Sequence, residues 1–365
     1  KSIVLLKNNN HLLPLEKQGE KIAIIGPLAN DKNSPLGNWR SQAVYNSASS
    51  VLEGMKNYNQ NKLVFEKGVD LYYGKTNFHN RVKLNFDDRT GFDKAKLAAE
   101  NSDIVIMVLG EEGNQSGEGR SRTNIGLPGL QLELLKEIYK INQNIVLVVM
   151  SGRPLDLTWA DKNIPAIIQA WHLGSKSGEA IAEVLYGDYN PSGKLTMSFP
   201  RNVGQVPIYY NFKNTGRPST SIEQVTNSGY ADVVNSPLYS FGYGLSYTNF
   251  KYSNLSIDND KLDYNSKINI SIDIENTGFY TGKEVVQLYL RDVVGSIARP
   301  MKELKGFKII ELSPGESQTV NFEIESSLLE FYTFNNKWEA ENGKFHAFIG
   351  SNSDVVDYKE FYLVD

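Results

Sequence analysis

Five short stretches rich in Ile, Val and Leu restrict this chain more than any other feature: "KIAIIGPLA" from Lys21, "KLVFEKG" from Lys62, "DIVIMVLG" from Asp103, "NIVLVVMSG" from Asn144 and "AIIQAWH" from Ala166. Their polarity barely alternates, so each reads as a strand covered on both faces, as in a parallel sheet. Amphipathic segments lie between them. In "PGLQLELLKEIYKIN", Leu130, Leu134 and Ile138 share one helical face, while Glu133, Lys136, Glu137 and Lys140 face water. Pro128 suits the first turn of that helix. "SGEAIAEVLYG" repeats the pattern, with Gly187 as its terminator. Alternating strands and helices predict an α/β layer sandwich with a mostly parallel sheet, placed at residues 21–215.

The pattern breaks near Arg201. Residues 201 to 247 are rich in Pro, Gly, Asn, Ser and Tyr and lack periodicity, as in "NSPLYSFGYGLSYT". They read as an irregular connector packed down by its aromatics, centred on residues 216–250. From Lys251 a period of two takes over. "KINISIDIENTG" sets Ile268, Ile270, Ile272 and Ile274 on one face and Lys267, Asn269, Ser271 and Asp273 on the other. "KEVVQLYLRD", "QTVNFEIE", "KFHAFIG" and "YKEFYLVD" continue it, separated by the turn signals "NTGFYTG", "SPGES" and "ENG". Residues 251–365 are therefore expected to form an all-β sandwich of immunoglobulin or fibronectin type III kind. A chain of 365 residues exceeds the usual size of one core, which agrees with two domains.

Several chemistries find no support. After the first run the chain reads "IIGPLAND", where Gly26 stands alone in place of the spaced glycines of a dinucleotide site, and no Gly-Lys-Ser/Thr sequence follows a glycine-rich stretch. His11, His79, His172 and His346 are scattered without ligand spacing, so no metal or other cofactor is expected; a structural role for His172 outweighs a ligand-facing one. Cysteine is absent, which excludes disulfides and thiol chemistry. A net charge of -4 with no basic run argues against nucleic acid, and no apolar stretch is long enough for membrane insertion as a helix.

One loop remains. From Gly110 to Gly126 the chain holds Glu111, Glu112 and Glu118 among glycines and arginines, with neither helical nor strand periodicity. It leaves the carboxyl end of a strand, where open α/β sheets carry their sites, and loops of such length are uncommon without a function. Glu118, between Gly117 and Gly119, is free to approach a ligand. Arg120 and Arg122 can order the loop by pairing with Glu111 or Glu112. On composition alone, proton chemistry and a merely solvated loop stand even.

The stretches "SGEGRSRTNIGLPGLQ", "VMSGRPLDL", "QAWHLGSKSGEAIAEVLYGDYNPSGKLTMSFPRNVGQVPIYY" and "SPLYSFGYGLSYT" closely resemble the C-terminal portion of glycoside hydrolase family 3 β-glucosidases. The opening "KSIVLLKNNNHLLPL" resembles the segment leaving the catalytic barrel of that family, so residues 1–20 are assigned to it. That opening has no initiator Met or signal-peptide pattern, and the chain reads as a piece of a longer polypeptide. The resemblance implies an (α/β)6 sandwich and a fibronectin type III-like domain, with an N-terminal barrel missing that would carry the nucleophile. It implies a retaining, exo-acting β-glucosidase, or a β-xylosidase or exo-glucanase of the same family. The substrate would be a β-linked oligosaccharide or glucoside, the location periplasmic or secreted, and a homodimer is compatible with it. A non-catalytic carbohydrate-binding or scaffold module is the reading from another class.

By the same resemblance the general acid/base is Glu118, with Glu111 at the strand mouth as runner-up. Trp39 in "PLGNWRSQ" would line the aglycone side, Arg120 and Arg122 would order the loop, and the "GRP" at Gly152 would anchor a strand end without touching substrate. Retaining glycosidases hold two carboxyls about 5–5.5 Å apart. An acid reaching a nucleophile in another domain needs a long, glycine-flanked loop, and a partly dry cleft would keep its proton in place.

Overall fold

The computed structural model describes residues 1–58, 60–218 and 223–365; of the expected connector, residues 219–222 lie outside the described residues. The chain divides into two compact units, Lys1–Gly193 with Pro200–Gly204, and Lys194–Phe199 with Gln205–Asp365.

In the first unit each predicted apolar run forms a strand: β2 (Gln18–Ile25), β3 (Gln60–Glu66), β4 (Ile104–Gly110), β5 (Ile145–Met150) and β6 (Ala166–Gln169). These are parallel to one another, and β4, β5 and β6 are buried at every position. The opening segment supplies β1 (Val4–Asn8), which pairs antiparallel with β6 and completes a six-stranded sheet in the order β1-β6-β5-β4-β2-β3. Because Val4, Leu5 and Leu6 are buried, this edge is part of the core.

Among the described residues five helices accompany the strands: α1 (Val51–Lys56), α2 (Phe92–Glu100), α3 (Gln131–Tyr139), α4 (Thr158–Asn163) and α5 (Ser177–Leu185). Leu134 and Ile138 are fully buried on α3, as their spacing requires, but α3 starts after Pro128. Gly129, at φ +65°, separates that proline from the helix, so Pro128 lies outside the first turn. Helix α1 begins at a reciprocal cap, Ser50 with Glu53. It packs against α5 through Gly54 and Gly178, where a Cβ would overlap opposing backbone. The chain steps outward from β2 to β3 and then returns to the other side of β2 to lay down β4. Right-handed crossovers then require α1 and α2 on opposite faces of the sheet. The reversal makes the gap between the carboxyl ends of β2 and β4 a topological switch point, where sites of open α/β sheets form.

The second unit holds β7 (Phe250–Ile257), β8 (Lys261–Asp263), β9 (Lys267–Asn276), β10 (Gly282–Asp292), β11 (Glu303–Leu312), β12 (Ser317–Glu325), β13 (Phe331–Tyr332), β14 (Trp338–Glu339), β15 (Gly343–Gly350) and β16 (Tyr358–Val364). One sheet runs β11-β10-β15-β16-β8 and the other β12-β9-β7, with a small β13-β14 hairpin. Ile268, Ile270, Ile272 and Ile274 point into the shared core beside Leu288, Phe345 and Phe361. Irregular residues pack on this sandwich: Phe241 stacks on Tyr210 at 4.1 Å, Gln287 donates to Gly242 O at 3.1 Å, and Lys194 pairs with the buried Glu284 at 3.2 Å.

Candidate active site

Strands β2 to β6 run parallel, so the loops after β2, β4, β5 and β6 leave one edge of the sheet. At the end of β4, Gly110 sits at φ +141° with Met150 O where a Cβ would lie. No side chain fits there. The buried Gln131 at the start of α3 clamps this peptide from both sides, accepting from Gly110 N at 2.9 Å and donating to Gly110 O at 2.8 Å. The long loop is thereby tied at its root to the helix that follows it.

Glu111 comes next and is fully buried. Its carboxylate pairs with Arg122 Nη1 at 2.7 Å and Arg153 Nε at 3.0 Å. Arg122 also donates to Gly126 O at 3.1 Å, and Arg153 donates to Arg120 O at 2.9 Å and to Gln115 O. Glu111 is thus the anchor of two guanidiniums that hold three points of the loop backbone. The ring Nε2 of His172, after β6, faces Glu111 O at 3.4 Å. Donation to a carbonyl requires the proton on Nε2. Burial lowers the His172 pKa below its ordinary value and keeps the ring neutral at pH 7.

Glu112 is also fully buried and spent locally. It accepts from Asn114 N at 2.7 Å, Asn114 Nδ2 at 2.9 Å and Thr76 Oγ1 at 2.9 Å, while Gln115 Oε1 accepts from Glu112 N at 2.8 Å. This reciprocal cap folds residues Gly113–Gln115 into one helical turn. Burial raises the Glu112 pKa, against the downward pull of those donors.

Glu118 differs from both. It is exposed, it stands between Gly117 at φ +106° and Gly119 at φ +68°, and its carboxylate has no hydrogen bond or ion pair among the described residues. Arg120 ties the same stretch to the loop after β3, donating to Phe78 O with its guanidinium 5.9 Å from the Phe78 ring. From the loop after β2 comes Trp39, 71% exposed. Its neighbour Asn38 lies against Gly117, whose Cβ position is occupied by Asn38 Nδ2. Trp39 and Glu118 therefore each follow directly on one of two touching residues, at the switch point between β2 and β4. A separate cleft of about 630 Å³, lined by Leu28, Asp31, Lys67, Asp70, Tyr72 and Tyr73 among others, includes none of Glu111, Glu118 or Trp39.

Of the residues singled out by sequence, the structure brings Arg122 to Glu111, sends Arg120 to Phe78 instead of a glutamate, and leaves Glu118 and Trp39 facing solvent. Arg153 was singled out only within the "GRP" as a strand-end anchor and its pairing with Glu111 was not foreseen, while Gln131 and Asn38 were missed. The only local signal was Arg153 in "SGRP" immediately after a buried strand; nothing in "LPGLQ" or "LGNW" marks the other two.

This chain is similar to known proteins along its whole length. A sequence model of the glycosyl hydrolase family 3 C-terminal domain matches residues 3–247, and one of a fibronectin type III-like domain matches residues 284–353. A periplasmic beta-glucosidase of Salmonella typhimurium is 42% identical over 100% of this chain and 49% of its own length. A beta-xylosidase of Formosa agariphila is 38% identical over 100% of this chain and 48% of its own. The crystal structure of a beta-glucosidase from Listeria innocua in complex with glucose superposes with a TM-score of 0.89 at 34% identity, over 100% of this chain and 48% of that one. The chain thus spans about half the length of the relatives it matches.

Proposed function

Because the chain belongs to glycosyl hydrolase family 3, we propose that it is the portion of a retaining, exo-acting β-glucosidase that supplies the general acid/base, Glu118, and part of the aglycone side of the cleft. The nucleophile and most of the glucose-gripping groups lie in sequence outside these 365 residues. One observation carries the choice of carboxylate: of the three in the loop, Glu111 and Glu112 are buried and committed to fixed donors, whereas Glu118 is exposed, uncommitted and flanked by glycines in left-handed conformations.

In the first half-reaction Glu118 gives its proton to the glycosidic oxygen as the nucleophile attacks the anomeric carbon, so the aglycone leaves as a neutral alcohol. In the second, the Glu118 carboxylate takes a proton from water, which attacks the same carbon and releases the sugar. The Glu111–Arg122–Arg153 cluster holds the base of the loop through both steps. Trp39 offers a ring face to the aglycone. The printed names of the Salmonella and Listeria relatives favour glucose, that of the Formosa relative favours xylose, and comparing aryl β-glucosides with β-xylosides separates the two. The Salmonella relative's name likewise favours the periplasm.

The test is a leaving-group series in the complete polypeptide. Glu118→Ala is expected to slow poor leaving groups by roughly 10²- to 10⁴-fold. Acidic phenols, which need little protonation, should be far less affected in their first step, and azide should restore turnover by attacking without a base. A Glu118→Ala enzyme with uniform loss across the series, or rescue by azide in Glu111→Ala instead, sinks the assignment.

A further inference from the structure

Asn38 is almost fully buried, and neither its carboxamide nitrogen nor its carboxamide oxygen has a partner among the described residues. Such a group is rare in a folded protein and calls for an explanation, since it could donate twice and accept twice. Its position supplies one. The amide occupies the space where a Cβ of residue 117 would be, so the backbone immediately before Glu118 rests on it.

The support beneath Asn38 is rigid. Arg40 N donates to Asn38 O at 3.0 Å, the Arg40 guanidinium donates to Asn33 O at 2.6 Å, and Gly37 N donates to Ser34 O at 2.9 Å. Asp31 accepts from Ser34 N at 3.1 Å and from Asn33 N at 2.7 Å, closing the turn. A Cβ on Gly113 would lie 3.2 Å from Gly37 O and 3.3 Å from Ser34 O, so the two loops also meet upstream of Gly117. On the far side of Glu118, by contrast, a Cβ on Gly119 would meet nothing within 4 Å. Gly117 before the acid-bearing residue is thus braced by a side chain, whereas Gly119 after it has open space beside it, the loop being held again only at Arg120.

We infer that Asn38 is a positioning residue for Glu118: it is the stop on which Gly117 rests, and its carboxamide, unpartnered among the described residues here, hydrogen-bonds the loop backbone in the conformer that delivers the proton. This rests on the assignment of Glu118 as acid/base. A displacement of about 1 Å at a reacting group can cost on the order of 10²-fold in rate.

The experiment uses the complete polypeptide with Asn38→Ala, Asn38→Leu, Asn38→Ser and Glu118→Ala. Leu matches Asn in shape but offers no hydrogen bond, whereas Ser keeps a small polar group. Asn38→Ala and Asn38→Leu should both slow poor leaving groups by roughly 10- to 100-fold and activated phenols by less than about 3-fold, with Ser recovering part of the loss. Adding Asn38→Ala to Glu118→Ala should cost nothing further. In the same complete polypeptide, Asn38→Leu should raise amide hydrogen exchange in residues 113–122 without lowering the melting temperature, a readout independent of turnover. Wild-type kinetics in Asn38→Leu overturn the inference by reducing Asn38 to a space filler, and so does a loss equal across all leaving groups. If Glu118→Ala has the expected signature and Asn38→Leu lacks it, only the positioning role falls; if Glu118→Ala lacks it, both fall.

Discussion

Glu111 and Glu118 share a loop and a charge, yet their surroundings have almost nothing in common. Glu111 is fully buried at the strand mouth between two guanidiniums, while Glu118 stands in solvent on a glycine-flanked crest with no partner among the described residues. A buried carboxylate with two strong donors has every reason to stay still, because losing either guanidinium would strand a charge in a poor solvent. An exposed carboxylate on a permissive backbone has the opposite properties: it can move and it can meet a ligand. Under the proposed assignment, the difference teaches that reactivity within this loop follows from what has already been spent, the spent carboxylate holding still the backbone that presents the unspent one.

The sharpest way to break this comparison is to remove each carboxylate in turn from the 365-residue chain and measure denaturant unfolding. Glu111→Ala leaves two largely covered guanidiniums without their anion and is expected to lose on the order of 3 kcal/mol, whereas Glu118→Ala should stay within about 0.5 kcal/mol of wild type. Equal losses would mean that Glu118 is also structural.

A smaller effect apportions the anchor. Arg122→Ala and Arg153→Ala should each cost roughly 1.5–3 kcal/mol, the usual worth of hydrogen bonds to a charged group. Each should couple to Glu111→Ala in a double-mutant cycle, so that the pair loses clearly less than the sum of the singles. Additive losses would show that the guanidiniums act through the backbone carbonyls alone.

The smallest expected effect is on the pH dependence of unfolding. Burial holds the His172 pKa below 6.5, so below that pH the unfolded chain binds protons that the folded one refuses. The contribution of His172 is therefore complete above about pH 6.5 and is lost as pH falls toward its depressed value. Glu112 works in the other direction and lower down: burial raises it above 4.5, so its contribution is complete below that pH and is lost as pH rises through the raised value. Unfolding measured from pH 7.5 to 5 should show a shallower decline in His172→Gln than in wild type. An unchanged slope would place the acid sensitivity elsewhere, and His346 in the second unit, whose pKa burial also lowers, is the first place to look.

Much of the fold was legible because burial writes itself into local pattern. The runs at Ile22–Ile25, Val105–Leu109 and Ile145–Met150 are apolar on successive residues because both faces of the sheet are covered, and Ile268 to Ile274 alternate because one face is. Strands lacking that contrast were harder to read. At the sheet edge, β11 keeps only Ile310 and Leu312 buried, so Phe307 and Ile309, both exposed, gave no clean alternation. The first strand, "VLLKN", is too short for periodicity to reveal which neighbour it pairs with, and its antiparallel partner β6 lies more than 150 residues away.

At the site, the sequence by itself determined the inventory: three glutamates, flexible glycines and arginines in a loop too long for an idle connection, leaving the carboxyl end of a buried strand. Only the tertiary structure decided which glutamate was free. Arg153 reaches Glu111 across 42 positions, Gln131 clamps Gly110 across 21, and Asn38 meets Gly117 because β2 and β4 are adjacent after the chain reverses direction in the sheet. The physical reason is one of range. Backbone preference and amphipathic period act over a few residues and are written where they act, whereas desolvation and ion pairing depend on whatever the fold brings within a few ångströms, however distant along the chain.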